Sequence, residues 1–543
     1  LAEWLRQQSE GNPYILSELI THARESGLLR ADGTVNLSAL STAPVVPPSI
    51  YSLIQARLAR LSDPARRILD AAVAMGRIFE FEVVARAAAL SENAALDALD
   101  ELRAARLIEP QGSDGLTYAF DHSLTMEVAY REVGEPRHRL LHRRVAEALE
   151  AIYGKQYLDG IASVVAWHFR ESGDVQRAAP YALHAAQLAA KIAAWREAIE
   201  FYDQALAADL PDLERAEILL ELGAARINTG ETAQAVEANR AALKLCAPNS
   251  MEADRARLAL AQSLLNQARY AEAIDLVKQV CAAGRPEMIV GAEMQWGTTL
   301  SVEGADLIEA AEHLNQAEML LRQQSNQPDV ARLAQIKFEQ GSVAAQQGDL
   351  EKAVILYRDT IELGAQSGQA AVPFHILGYN NLAYHSHLLH DPSALNYAQQ
   401  GLQLAREQGV LGLQPFLLST LGEIELERDA DVAEQYFTEG LTLAERLSMP
   451  ERIAGLTANL GRVAQRRGET ALAIHRLSTA LAKAEALGLL HLAAQIRLWL
   501  VPLLPPNEAR AALNEVKAMA TSSGRQRLWE EAQRLEKDVE QQK

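Results

Sequence analysis

One phrase recurs from about residue 160 onward and restricts the possible folds more than any other feature. It runs small residue, three residues, large residue, two residues, small residue. It reads Ala198-Tyr202-Ala205, Ala235-Asn239-Ala242, Ala273-Val277-Val280 and Ala310-Leu314-Ala317. It continues as Ala353-Tyr357-Thr360, Ala394-Ala398-Gly401, Ala433-Phe437-Gly440, Ala473-Leu477-Ala480 and Ala512-Val516-Met519. The lead residues stand 37 to 43 positions apart. Offsets of four and seven lie on one face of a helix. Small residues there let a second helix come close, and the large one fills the groove between them.

The second helix is predicted about a dozen residues upstream, where Leu222-Gly223, Gly341, Leu421-Gly422 and Leu460-Gly461 stand. Between the two helices lies a glycine followed by an acid: Gly173-Asp174, Gly230-Glu231, Gly348-Asp349 and Gly468-Glu469. Glycine suits the left-handed residue that ends a helix, and an acid suits the positive start of the next. The unit is a helix–turn–helix hairpin repeated about nine times, which buries its apolar face only by stacking on its neighbours.

Composition agrees and removes several classes of protein. The 543 residues are 49% hydrophobic but only 5% aromatic, a balance that favours packed helices over sheets. No apolar run reaches the roughly 18 residues of a membrane span. With Lys+Arg at 52 against Asp+Glu at 71, the chain carries −19. The first 150 residues hold 16 basic and 21 acidic side chains and the remainder 36 and 50. Neither part is a phosphate-seeking surface, so nucleic acid and anionic membrane are not expected partners. Cys246 and Cys281 form no CxxC and no disulfide framework, and are expected to be buried free thiols. His385, His387 and His390 are close in sequence, but no cysteine or suitably placed carboxylate completes a metal set, so no metal is expected.

The first 150 residues have a different character. Glu10-Gly11-Asn12-Pro13-Tyr14 stands between helical stretches, and Pro44-Val45-Val46-Pro47-Pro48 is a stiff linker. Amphipathic helices are predicted over 50–61, 64–75, 81–89 and 92–106. A short extended pair, Leu107 to Pro110 and Tyr118 to Phe120, turns at Gly112 and Gly115. Helices over 124–133 and 137–153 follow. Arg137 to Arg144 is a basic helix in an acidic segment, read as pairing with neighbouring acids.

The repeat positions resemble the tetratricopeptide repeat (TPR), with spacing longer than that family's usual one. The order of the first 154 residues resembles the C-terminal half of signal-transduction ATPases with numerous domains (STAND). That resemblance implies a lid-like segment with linker over 1–48, a winged-helix-like domain over 49–154, and a TPR solenoid with a C-terminal capping helix over 155–543. It also implies that Gly11 and Pro13 match the family's adenine-contacting GxP motif. Phe120 and His122 match its Phe-x-His element, whose histidine reaches the β-phosphate; Ser123 stands where an Asp is common. As a lone histidine, His122 is more readily a satisfied structural residue than a phosphate ligand. Arg137-His138-Arg139-Leu140-Leu141-His142 matches the family's Arg-rich helix.

No GxxxxGK[ST] cradle exists in the chain; the lone Gly154-Lys155 lacks the upstream glycine. The resemblance would place an ATP-binding domain before Leu1, and the chain reads as a piece of a longer protein. The expected fold is therefore all-α: a TPR superhelical solenoid preceded by a small winged-helix unit. The expected role is a non-enzymatic, cytoplasmic scaffold without a cofactor, binding a protein or peptide on its concave surface. The other reading is a structural solenoid that assembles into a homo-oligomer or filament through an apolar patch at Trp4, Leu5, Tyr14 and Ile15.

Overall fold

The computed structural model describes residues 5, 6, 9, 13–25, 29, 48–112, 115–154, 158–304, 306–325, 327–447, 449–522 and 525–541. The chain divides into two compact units, Leu1–Leu245 and Cys246–Lys543.

The first unit contains α1 (Pro13–Glu25), α2 (Pro48–Leu58), α3 (Asp63–Met75), β1 (Ile78–Glu80), α4 (Phe81–Ala87) and α5 (Glu92–Ala104). There follow β2 (Ile108–Gln111), β3 (Thr117–Phe120), α6 (Ser123–Glu132) and α7 (Glu135–Tyr153). Helical hairpins then begin with α8 (Leu158–Glu171), α9 (Val175–Lys191), α10 (Trp195–Ala205), α11 (Asp212–Asn228) and α12 (Thr232–Leu245). The strands form an antiparallel sheet in the order β1-β3-β2. β1 is too short for its period to show in sequence; it exists because Phe79 pairs with Tyr118 and packs on Phe120, ring centroids 5.7 Å apart. Ile68, Leu69, Val83, Leu102 and Leu107 complete a dry core around these rings.

Ile15 belongs to that core and Leu5 packs against it, because α1 turns its apolar stripe inward with Leu19. This corrects the expected exposure of Leu5 and Ile15. Trp4, the side chain of Tyr14, and Gly11 lie outside the described residues.

The second unit is built of hairpins alone: α13 (Met251–Leu265) with α14 (Tyr270–Ala283), α15 (Pro286–Glu303) with α16 (Leu307–Gln324), and α17 (Val330–Gln346) with α18 (Leu350–Ser367). Next come α19 (Val372–Leu388) with α20 (Ala394–Glu407), α21 (Gln414–Leu426) with α22 (Ala430–Arg446), and α23 (Pro450–Arg466) with α24 (Thr470–Ala486). The array ends with α25 (Leu490–Leu500), α26 (Pro506–Ser522) and α27 (Gln526–Gln541). All-α helical repeats of the tetratricopeptide type thus make up most of the chain.

The repeat register is visible in burial. The leads Ala198, Ala235, Ala273, Ala310, Ala353, Ala394, Ala433 and Ala473 are all at most 3% exposed. In the last hairpin the expected phrase is wrong by three residues. Ala509, Leu513 and Val516 are buried, whereas Ala512 and Met519 pack only partly. The extended Leu504-Pro505 linker shifts where α26 begins, and the buried face moves with it.

Size is exchanged across the hairpins. A Cβ built on Gly341 would come within 2.7 Å of Tyr357, on Gly422 within 2.4 Å of Phe437, and on Gly461 within 2.8 Å of Leu477. Each of these glycines makes room for a large residue fifteen or sixteen positions later. Where the large position is instead Ala398, the residue sixteen before it is Leu382, itself buried. The sum of the two sizes is roughly kept, as close packing requires.

The Gly-acid turns close as expected. Gly173, Gly230, Gly348 and Gly468 have φ of +83, +81, +91 and +77°. At each, the following residue's N–H reaches back to the helix, as from Asp349 to the Ala344 carbonyl at 2.9 Å. Asp174 and Asp349 also accept the N–H of Arg177 and Lys352, caps worth about 1 kcal/mol each.

Candidate functional site

In the second unit the lead alanines sit on the second helix of each hairpin, which leaves the first helices to form the opposite face. Those first helices join one another through polar side chains. Thr420 Oγ1 donates to Asn380 Oδ1 at 2.9 Å, linking α21 to α19. Asn459 Nδ2 donates to Ser419 Oγ at 3.1 Å and Glu423 Oε1 at 3.3 Å, linking α23 to α21. Arg462 lies 3.5 Å from Glu423 and stacks its guanidinium 4.5 Å from the Trp499 ring. Arg452 covers Phe416 at 4.4 Å, and burial pushes its guanidinium below the usual range.

The first helices α17, α19 and α25 border one cavity of about 330 Å³, with Leu307 and Tyr357 of α16 and α18 also in its wall. The start of α27 closes the cavity with Arg525 and Arg527. His491 projects from α25, Asn381 and Tyr384 from α19, and Ser342 from α17. Tyr384 is pushed up to about 12 by burial. His491 is pushed down to about 4, by burial first and then by Arg525 and Arg527. Burial also lowers His385, whose Nδ1 lies 2.7 Å from the Asn381 carbonyl. Glu339, on the same face of α17 as Ser342, is raised to about 7 by burial. The site is therefore partly desolvated and locally positive within a chain of −19.

Sequence reasoning missed Arg525, Arg527 and His491. One signal was available: two cations at a helix start that has no acid in its first turn, against the usual preference.

The residues matched by resemblance lie in the first unit. Pro13 opens α1 and is exposed. His122 caps α6: its Nδ1 accepts the Leu124 N–H at 3.1 Å, and its Nε2 lies 3.2 Å from the Ser9 carbonyl. Those two contacts require the proton on Nε2. Ser9, four residues before Pro13, thus meets the Phe-x-His element.

The basic helix α7 is engaged much as its charge suggested. Arg137 lies 3.5 Å from the buried Asp70, which Arg66 also holds at 2.9 Å; burial still raises the Asp70 carboxyl. Arg139 pairs with Glu135 at 3.2 Å. His142 instead turns inward, its Nδ1 2.9 Å from His168 Nδ1.

His385 lines the cavity, His387 stands 4.0 Å from Glu427, and His390 sits in a turn at φ +58°. Among the described residues no group of three or more His, Cys, Asp or Glu is placed to hold a metal. Cys246 and Cys281 are reduced thiols and half-buried, a correction to the expected full burial. The Cys281 thiol is raised to about 12 by burial and by Glu293. Among the described residues no helix is long and apolar enough to cross a membrane.

Fold and face together define an all-α helical-repeat protein of tetratricopeptide type. Among solved structures it is similar to a STAND protein with a tetratricopeptide repeat sensor from Pyrococcus horikoshii. That match has 14% identity and a TM-score of 0.42, covering 91% of this chain and 73% of that one. It is also similar to a Rap protein complexed with competence and sporulation factor (14%, 0.41, covering 73% and 99%). A third is the Cut9 and Hcn1 hetero-tetramer of the APC/C (15%, 0.40, covering 83% and 97%). No family model matches the chain, and no curated protein does.

Proposed function

We propose that the chain is a protein-interaction scaffold: the sensor arm of a STAND-type signalling regulator, whose inner face, that of the first helices, binds a protein or peptide. The polar ladder of Asn380, Thr420, Ser419, Asn459, Glu423 and Arg462 carries this reading. Such groups repeat at hairpin spacing along one face; Thr420 and Asn459 are buried within the ladder, and the half-buried Asn380, Ser419, Glu423 and Arg462 form its edge toward a partner. The rings of Phe416 and Trp499, also on first helices, lie under Arg452 and Arg462.

In the first unit, the order α3-β1-α4-α5-β2-β3, three helices interleaved with a small antiparallel sheet, supports the winged-helix reading of 49–154. The Ser9–His122 contact supports pairing a lid-like 1–48 with it. In an intact regulator Gly11, Pro13 and His122 would then face nucleotide, while this chain, without a phosphate cradle, would neither hold ATP tightly nor hydrolyse it.

Selection of displayed random peptides on the full chain tests the main reading. Selected peptides should lose binding to Asn459→Ala and Arg462→Ala. They should keep binding to Arg406→Ala, whose charge lies on a second helix paired with Glu439. The reverse pattern would refute an inner binding face.

A further inference from the structure

We propose that the cavity closed by the start of α27 binds a small anionic ligand, whose carboxylate or phosphate group is held by Arg525 and Arg527. This goes beyond the scaffold reading, since it needs no protein partner. Three observations converge on it.

The first is the state of the two arginines. Neither guanidinium has an ion-pair partner among the described residues; some arginines of the unit are paired, and others, such as Arg332, Arg446 and Arg510, are likewise without an ion pair there. Arg497 holds Glu485 and Glu515, and Arg467 holds Asp431 and Glu434. What sets Arg525 and Arg527 apart is that these two unpaired cations, two positions apart, line one partly enclosed space in a chain with an excess of acids.

The second is their setting. Arg525 precedes α27 and Arg527 lies in its first turn, so the helix's own N–H groups add to the same positive field. Arginine's planar fork suits a carboxylate or phosphate with two parallel hydrogen bonds. The acid lining the cavity, Glu531, lies one turn further along α27 and leans toward Gln495 at 3.5 Å.

The third is size and lining. About 330 Å³ lies at the lower end of the roughly 300–1,000 Å³ of small-molecule sites, so a metabolite-sized molecule or the end of a peptide fits and a folded partner does not. Asn381, Ser342 and His491 offer neutral polar contacts to the rest of such a ligand.

Calorimetric titration of the full chain at fixed ionic strength tests this. The probes are inorganic phosphate, citrate, and trialanine as free acid and as amide. At least one anion should bind saturably at a single site. Phosphate alone would indicate a phosphoryl group, citrate a small carboxylate, and trialanine acid without its amide a peptide terminus. Arg527→Gln should weaken binding about tenfold, the loss expected for one charge-assisted contact. Arg527 is exposed, so this variant should fold. Arg428→Gln, which removes the same charge outside the cavity, should leave affinity unchanged. The absence of saturable binding by any of the probes overturns the proposal. So does undiminished binding by the Arg525→Gln/Arg527→Gln double variant.

Discussion

Gly341 and Ser342 are neighbours on α17, yet they belong to regions that obey different rules. Gly341 faces Tyr357 in the seam between paired helices, and comparable seams recur at Gly422–Phe437 and Gly461–Leu477. Ser342 faces the cavity, which forms once, where the array meets the start of α27. The seam is a local problem solved repeatedly at fixed spacing, so its solution is periodic. The cavity depends on residues nearly two hundred positions apart, and nothing periodic announces it. Stability resides mainly in the first region, and the proposed recognition is placed in the second.

The sharpest way to break this comparison is to exchange sizes across one seam. Leu477→Ala should cost about 2–5 kcal/mol through lost burial and a cavity. Gly461→Leu should also destabilise, since even a Cβ there would crowd Leu477. The double variant would restore the arrangement that Leu382 and Ala398 already have, and should be more stable than the two separate losses imply by at least about 1 kcal/mol. Urea denaturation of the four proteins measures the coupling. Simple additivity would mean that the seam is not a matter of paired sizes.

A smaller effect checks the register itself. Ala473 is fully buried and Ala471, on the same helix, is exposed. Ala473→Leu should destabilise by about 1–3 kcal/mol, while Ala471→Leu should lie within about 0.5 kcal/mol of the parent. Equal melting temperatures for the two variants would show that the buried face of α24 has been misassigned.

The contrast also explains what was legible in sequence. The lead alanines, the glycines opposite large residues and the Gly-acid turns could be read because each encodes its own local geometry. The last hairpin was misread because Leu504-Pro505 reset the phase, and Ala509 rather than Ala512 took the lead. β1 was missed because Ile78–Glu80 is defined by its partner strand and carries no pattern of its own. Arg525 and Arg527 were visible only as a breach of helix-dipole preference. Such local inconsistencies are expected where function competes with stability.

The smallest predicted effect contrasts the open cavity with a polar site in the first unit that closes on itself. His142 and His168 share one proton between their Nδ1 atoms at 2.9 Å, and His168 Nε2 is enclosed without a partner. Burial first, and then His142, push His168 down to about 3; burial also lowers His142. Between pH 6.5 and 3 the unfolded chain therefore binds a proton at His168 that the folded chain refuses. The stabilisation is fully present above the ordinary histidine value and is lost as pH falls toward 3, with a slope of at most about 1.4 kcal/mol per pH unit for one proton. From pH 6.5 to 5.5, before most carboxylates titrate, His168 should account for about 1 kcal/mol of lost stability. His168→Asn keeps a polar contact for His142 and removes the titrating ring. Its denaturation midpoint, followed by circular dichroism, should fall less over that step than the parent's. Parallel pH profiles would show that the pair takes up its proton without opening, and that this polar site is less closed than its geometry implies.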